Sequence, residues 1–184
     1  MNLPYSGTAK CSAPTHRRDG QGPDMKRLII GAIVGGLLGF AVGFAVAIFV
    51  YPYIFLADIV ATDEAPTAGA VVARGRFVHA NPADPIHYGK GTATLYANVV
   101  HLGPDFEVGP GPKFHVYLVA KAQVASAADV TGSTFVDLGR LRAFKGSQNY
   151  SVPAGTDLSA YGSVVIWCEA FGVLISPATL DRQG

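Results

Sequence analysis

One cysteine lies in an apolar segment near the end of the chain, Cys168 in SVVIWCEAFGVLIS, residues 163–176. The β-branched and aromatic residues around it favour β-strands, and Gly172 offers a place to turn. The segment therefore predicts a buried strand followed by a second short strand, with the sulfur in the core or just beneath the surface. The other cysteine, Cys11, lies on the opposite side of a predicted membrane helix, so we expect no internal disulfide.

Three kinds of chemistry are open to the Cys168 thiol. As a small hydrophobic side chain it would fill space in the core, which is the usual role of a buried free cysteine. As a thiolate it would ligate haem iron or another soft metal, which removes the proton and protects the sulfur. As a reactive thiol it would form mixed disulfides with a redox partner, which requires partial exposure and a lowered pKa.

Two histidines are candidates to ligate a haem together with Cys168. His115 lies in the strand-like segment PKFHVYLV, where alternation places it on the same face as Tyr117. His87 precedes a pair of glycines at a loop where a ligand would also fit. The alternative for both is a surface histidine on a half-exposed segment. The histidines form no HxH or HxxxH pair and the chain has no CxxC, so we expect no zinc site.

Motifs of the common enzyme classes are missing from the sequence. It has no G-x-S-x-G, no glycine-rich phosphate loop opening a helix and no HExxH. A cysteine hydrolase is disfavoured because an apolar strand interior does not suit an attacking thiolate. Residues 58–184 contain 9 Lys and Arg against 11 Asp and Glu, a net charge of 9 − 11 = −2, so no basic surface indicates nucleic acid. The sequence favours a redox component over an enzyme in its own right.

A long uncharged stretch, Leu28–Leu56, predicts one membrane-spanning helix over residues 28–51, because about 20 apolar residues cross a bilayer. Basic residues precede it and acidic residues follow it, which places the N-terminus in the cytoplasm and the C-terminal domain outside. The chain is thus expected to be a single-pass protein of the cytoplasmic membrane. The alternative is a cleaved secretory signal with Ala45-Val46-Ala47 as the cleavage site. Cleavage there would leave an exposed apolar N-terminus, so we favour the anchor.

Two further expectations concern the N-terminal part. Residues 1–27 form a short cytoplasmic tail, and Met25-Lys26-Arg27 has the form of a natural start, in which case Cys11 is absent from the cell. Within the helix, glycines recur every four residues and form a smooth strip that favours self-association or docking to a membrane protein. The alternative is that glycine is simply common in membrane helices. The strip consists of Gly31, Gly35, Gly39 and Gly43.

Beyond a connector at residues 52–69, the pattern changes to short runs of strand-forming residues bounded by Gly, Pro, Asn and Asp. Residues 70–180 keep no helical period, so we predict an all-β fold, a single β-sandwich or flattened barrel of about eight short strands. Residues 181–184 are predicted to form a short C-terminal tail. The predicted strands are Ala70–His79, Thr92–Leu102, Phe106–Val108, Phe114–Ala120, Thr134–Leu138, Gln148–Val152, Gly162–Glu169 and Gly172–Ile175.

Three basic residues, Arg140, Arg142 and Lys145, cluster between two predicted strands. Arg140 and Arg142 point to the same side of an extended segment, where they would meet an acidic partner or a propionate. The alternative is a solvated strand edge protected by charge.

Three segments together resemble the DM-thirteen (DM13) domain, an "electron transfer" family often joined to DOMON and cytochrome b-type modules. They are GRFVHANPADPIHYGKGTATLY, GPGPKFHVYLV and FVDLGRLRAFKGSQNYSVPAGTDLSAYGSVVIWCEAFGVLIS, and the resemblance covers about residues 70–180. Its most specific positions are Leu138-Gly139, Gln148, Tyr150, Pro153, Tyr161, Val165, Trp167-Cys168 and Phe171.

The resemblance implies an extracytoplasmic β domain with one near-invariant cysteine, matching Cys168, that acts as a bare thiol or a haem ligand. The expected function is therefore electron transfer next to a membrane, with a redox or membrane-protein partner. The alternative is a non-catalytic module that binds a ligand or protein and contains a buried structural cysteine.

Overall fold

The structure, a computed structural model, describes residues 24–51, 54–55, 57–67 and 69–182. Residues 1–23 of the predicted tail, with Cys11, lie outside the described residues. The described chain comprises an apolar helix and a β domain.

Helix α1 spans Met25–Tyr51 and contains no charged residue after Arg27. Its described side chains are exposed, so the helix is not a core element of the protein. By length and composition, Met25–Ile48 is able to cross a membrane. A Cβ added at any glycine of the predicted strip would meet open space, so this face is smooth. Association through the strip stays a prediction.

The β domain contains two sheets, which confirms the all-β prediction. The strands are β1 Val60–Thr62, β2 Val71–Arg76, β3 Gly89–Lys90, β4 Thr92–Tyr96, β5 Val99–Leu102, β6 Glu107–Val108, β7 Phe114–Val119, β8 Phe135–Arg140, β9 Lys145–Ser151, β10 Ser163–Cys168, β11 Val173–Thr179 and β12 Asp181–Arg182. The larger sheet is curled into a half-barrel with the order β12-β2-β4-β5-β9-β6-β3, and β1 pairs with β9 in parallel. The second sheet has the order β11-β10-β7-β8.

Strand β10 is buried along its whole length because both of its faces are covered. One face contributes Val164, Ile166 and Cys168 to the main core, which lies between the sheets. The other face contributes Val165 and Trp167 to a smaller apolar cluster. Burial of a side chain such as Ile166 contributes about 1.5–3 kcal/mol, so this strand is a major source of stability.

The structure also places regular elements where the sequence predicted connections. The predicted strand Thr92–Leu102 is a hairpin of β4 and β5. A short helix, α2, Ala127–Thr131, lies between the predicted strands Phe114–Ala120 and Thr134–Leu138. The predicted C-terminal tail, residues 181–184, contains β12, which pairs with β2. A two-residue strand such as β12 is not visible in the sequence because its pairing uses backbone contacts, which need no apolar pattern.

The segment interpreted as a connector is partly built into the β domain. After β1, the Asp63 carboxylate accepts hydrogen bonds from the Arg142 guanidinium and from the Asn149 backbone N–H, the latter at 2.8 Å. The Asn149 side-chain amide donates to the Glu64 carbonyl at 2.8 Å. Arg142, one of the three clustered basic residues, therefore has its acidic partner within the chain.

A buried glutamine organises the turn between β8 and β9. The Gln148 side chain is fully buried, and its Oε1 accepts hydrogen bonds from the Arg142 and Ala143 amides, both at 3.1 Å. Its Nε2 donates to the Ala143 carbonyl at 2.8 Å. Tyr150 also donates to Oε1, at 2.8 Å. This network positions Arg142 to meet Asp63.

Candidate functional site

Cys168 is the last residue of β10 and faces the main core. It is 2 % exposed, and its Sγ donates a hydrogen bond to the Pro112 carbonyl at 3.3 Å. Burial raises the pKa of the Cys168 thiol, an effect that the backbone N–H groups of Phe171 and Ala170 oppose. The thiol is therefore protonated at neutral pH, which makes it a poor nucleophile while it stays buried.

Two loops contact the Cys168 sulfur at this end of β10. One is the segment before β7, residues 109–113, in which Lys113 has a φ of 49°, in the left-handed region. The other is the turn between β10 and β11, where Gly172 N–H bonds the Cys168 carbonyl at 2.9 Å. The two loops are joined by one backbone hydrogen bond, from Glu169 N–H to the Lys113 carbonyl at 3.1 Å.

His115 and Cys168 lie on neighbouring strands but on opposite faces of the sheet. In the pairing of β7 with β10, Trp167 lies opposite His115, and Cys168 lies opposite Phe114. Because side chains of directly paired residues share a face, Cys168 faces the main core with Phe114 while His115 faces outward beside Trp167. The predicted alternation along β7 is therefore confirmed, and it separates the two side chains.

His115 has two carboxylate partners. Its Nδ1 lies 3.0 Å from Asp137 Oδ2, and its Nε2 lies 3.2 Å from Glu169 Oε2. Asp137 comes from β8, and Glu169 follows Cys168 directly at the end of β10. Among the described residues, these three form the group of potential metal ligands whose donor atoms all lie within 4.8 Å of one another.

Tyr117 lies beside this cluster on the same face of β7. Its hydroxyl donates a hydrogen bond to Glu169 Oε1 at 3.1 Å. Its ring stacks on Phe135, with centroids 4.6 Å apart, and lies near Trp167 at 6.3 Å. Burial, together with the Glu169 carboxylate, raises the pKa of Tyr117, so the phenol stays protonated and holds Glu169 in place.

His87 occupies a different site. Its Nδ1 lies 2.6 Å from Asp84 Oδ2, and Asp84 Oδ1 also accepts the backbone N–H groups of Ile86 and His87. The His87 contact, followed by these backbone bonds, lowers the pKa of Asp84 to about 2. These contacts order the loop between β2 and β3. No described hydrogen bond or ion pair joins His87 to His115 or Cys168.

Comparison with known families bears on this geometry. The family model described as electron transfer DM13 matches residues 83–180, which is 98 of the 184 residues. The chain belongs to the electron transfer DM13 family. The match contains β3 to β11, and so includes Cys168 and the cluster around His115. No curated protein and no solved structure shows significant similarity to the chain.

The haem suggested by the DM13 resemblance can be tested against the surroundings of Cys168. Two of the cavities in the described part of the chain have volumes of about 630 and 40 Å³. The larger is an open groove near Arg74, Arg76 and Arg182, and neither cavity is lined by Cys168, His115 or His87. The thiol is instead enclosed by core side chains and the Pro112 carbonyl. The residues around Cys168 therefore do not fit a haem in this conformation.

Sequence reasoning singled out His115 in this DM13 domain but missed its partners. Asp137 and Glu169 lie 22 and 54 residues away along the chain and match no ligand spacing motif. The only local signal is the position of Glu169, a charged residue next to Cys168 within an apolar segment. The register of β7 with β8 and β10 is what brings the three side chains together.

Proposed function

We propose that this DM13 chain is a membrane-anchored electron-transfer component whose β domain lies outside the cytoplasm and whose Cys168 thiol exchanges with a disulfide of a redox partner. The observation that carries the proposal is that Cys168 lies at a strand end, where its sulfur contacts two loops at the edge of the main core. Opening these loops would uncover the sulfur while both sheets remain paired. A closed state protects the thiol from oxidation, as an oxidising compartment requires.

The exchange step starts when the cover opens and a solvent base removes the proton from the Cys168 thiol. The thiolate attacks one sulfur of the partner's disulfide, a new S–S bond forms, and the old S–S bond breaks. The other partner sulfur leaves as a thiolate and takes up a proton. Cys168 is thereby oxidised and the leaving sulfur is reduced. A dithiol of an electron-donating partner then attacks the Cys168 sulfur of the mixed disulfide, and the remaining sulfur of the first partner leaves as a thiol. The second thiol of the donor attacks the donor sulfur in the new mixed disulfide, so that Cys168 leaves in its reduced form and the donor keeps a disulfide. Two electrons have then passed from the donor dithiol to the disulfide of the first partner.

The proposed orientation follows from charge. Arg17, Arg18, Lys26 and Arg27 precede the helix, while the acidic residues Asp58, Asp63 and Glu64 follow it, which favours a cytoplasmic N-terminus. If this orientation is right, a cysteine engineered into a solvent-exposed loop of the β domain should react with a membrane-impermeant maleimide in intact cells. Labelling that requires cell lysis would contradict this orientation.

The strip of helix glycines supports a second part of the proposal, association of α1 with another copy or with a membrane protein. Gly35 and Gly39 lie in the middle of the strip, and no described atom occupies the space where a Cβ would lie. Close approach of helix backbones at such strips allows packing in lipid. Crosslinking in native membranes that gives monomers only would contradict the proposed association of α1.

A second candidate function is a non-catalytic module that binds a ligand or a protein, with Cys168 as a structural residue. The low exposure of Cys168 and the raised pKa of its thiol favour this candidate. The two functions differ in whether the thiol can react while the domain is folded.

The test uses the full chain in lipid nanodiscs, with Cys11→Ser so that Cys168 is the one remaining thiol. Glutathione disulfide serves as the probe, and mass spectrometry follows the mixed disulfide under native conditions. The redox function predicts an adduct at Cys168 that dithiothreitol reverses, with the circular dichroism spectrum unchanged. The Cys11→Ser/Cys168→Ala protein is the control and should form none. An adduct that forms only in denaturant would exclude the redox function and support the structural role.

A further inference from the structure

A second site, separate from the Cys168 thiol, lies on the outward face of the smaller sheet. Two neighbouring strands and the turn after a third contribute one side chain each: β7 provides His115, β8 provides Asp137, and the turn after β10 provides Glu169. His115 is held on a rigid central strand whose neighbours on both sides are hydrogen bonded to it. Sites built on paired strands are more precise than sites built on loops.

The spacing of the donor atoms suits a small metal ion. His115 Nδ1 and Asp137 Oδ2 are 3.0 Å apart, and His115 Nε2 and Glu169 Oε2 are 3.2 Å apart. Ligands at about 2.0–2.2 Å from a tetrahedral ion lie roughly 3.3 Å from each other. One imidazole nitrogen and one carboxylate already have this spacing, and the second carboxylate is within 4.8 Å. The two carboxylates lie at different nitrogens of the ring, and both are partly exposed, so a three-ligand set requires one of them to move toward the ion.

Each carboxylate is also oriented by a second partner. Asp137 Oδ1 accepts the Gly139 backbone N–H at 2.8 Å, and Glu169 Oε1 accepts the Tyr117 hydroxyl at 3.1 Å. These bonds hold the remaining oxygens toward His115. Outer hydrogen bonds of this kind orient metal ligands and raise the affinity of a site.

The charges of the cluster are unbalanced without a further cation. Two carboxylates face one imidazole, which supplies at most one positive charge. Arg140 is paired with His115 in the register of β7 and β8, and Lys113 directly precedes β7. Within the described chain, neither of these basic residues forms an ion pair with Asp137 or Glu169. A divalent cation would neutralise both carboxylates while the imidazole binds it as a neutral ligand.

We propose that His115, Asp137 and Glu169 bind one divalent transition-metal ion, with the remaining coordination positions open to water. An imidazole nitrogen with two carboxylate oxygens favours Cu²⁺ over Zn²⁺, and Zn²⁺ over Mn²⁺. Ca²⁺ and Mg²⁺ need more oxygen ligands than the cluster offers. The metal site does not use Cys168, so this proposal goes beyond the proposed thiol exchange. Failure of either proposal leaves the other unaffected.

The test measures Zn²⁺ binding to the full Cys11→Ser chain in detergent micelles by isothermal titration calorimetry. We expect one site whose affinity falls at least 100-fold in His115→Gln and about 10- to 100-fold in Asp137→Asn and Glu169→Gln. His79→Gln is the matched control, because His79 bonds the Asp84 carbonyl in another loop, and it should keep the affinity within twofold. Cys168→Ala should also keep it, which separates this proposal from the thiol function.

A spectroscopic readout identifies the ligand. With one equivalent of Cu²⁺, electron paramagnetic resonance should show coupling to a single imidazole nitrogen, and this coupling should be absent in His115→Gln. Zn²⁺ should also raise the melting temperature of the wild-type chain and of His79→Gln, but not of Glu169→Gln. Glu169 lies in a surface turn, so this variant tests the site even if His115→Gln does not fold. Equal Zn²⁺ affinity in wild type and Glu169→Gln, or a signal from several histidines, would mean an adventitious ion only and would overturn the proposal.

Discussion

The rate at which Cys168 becomes accessible distinguishes a gated thiol from a structural one. Uncovering the sulfur by moving the two loops breaks the bond from Sγ to the Pro112 carbonyl, together with two backbone bonds. These are Glu169 N–H to Lys113 and Gly172 N–H to Cys168. At about 0.5–1.5 kcal/mol for each bond, local opening costs about 1.5–4.5 kcal/mol. Alkylation should then be roughly 10- to 2,000-fold slower than in the unfolded chain.

If the thiol reacts only after global unfolding, the cost is the whole stability of the domain. A typical domain has a free energy of unfolding of about 5–15 kcal/mol, which slows alkylation by at least about 5,000-fold. The two mechanisms also differ in their response to urea. Local opening exposes little surface, so the alkylation rate should be nearly independent of urea at low concentrations. If global unfolding is required, the alkylation rate should rise with urea as steeply as the unfolding equilibrium does.

The assay follows the reaction of iodoacetamide with the Cys11→Ser chain by mass spectrometry at several urea concentrations. Pro112→Ala should accelerate alkylation about two- to fivefold, because it increases the entropy of the open loop by an equivalent of about 0.4–1 kcal/mol. Pro153→Ala, in the loop after β9, is the matched control and should leave the rate unchanged. A rate that has the urea slope of global unfolding, with no effect of Pro112→Ala, would refute the loop-opening mechanism.

Two further predictions concern the contacts that join the connector to the β domain. Gln148→Leu should lower the free energy of unfolding by about 2–6 kcal/mol, because it leaves the buried backbone N–H and C=O of Ala143 without partners. The Arg142 N–H keeps its bond to the Tyr150 hydroxyl. Urea denaturation measures the change, with exposed Gln123→Leu as a control expected to change the free energy by less than about 0.5 kcal/mol. The Arg142 guanidinium lowers the pKa of Asp63 below its ordinary value of 3.8, so the carboxylate stabilises the fold above that pH and loses this effect as the pH falls below it. The difference in unfolding free energy between wild type and Asp63→Asn should therefore shrink as the pH falls from about 5 to about 3, and a difference independent of pH would contradict the pairing.

Several features of the fold were predictable from local sequence because they depend on neighbouring residues. The buried hairpin of β10 and β11 follows from apolar residues on both sides of Gly172, and the two faces of β7 follow from alternation around His115. Short strands such as β1 and β12 were not predictable in this way. They contain two or three residues each, and their pairing depends on partners far along the chain.

The sequence by itself determined an apolar helix, an all-β domain and a buried cysteine, because hydrophobic pattern and chain length control these features directly. Tertiary structure decided which side chains meet. It placed Cys168 and His115 on opposite faces of one sheet, and it brought Asp137 and Glu169 to His115 from separate strands. Strand register selects these neighbours, and register depends on the packing of the whole domain rather than on spacing along the chain.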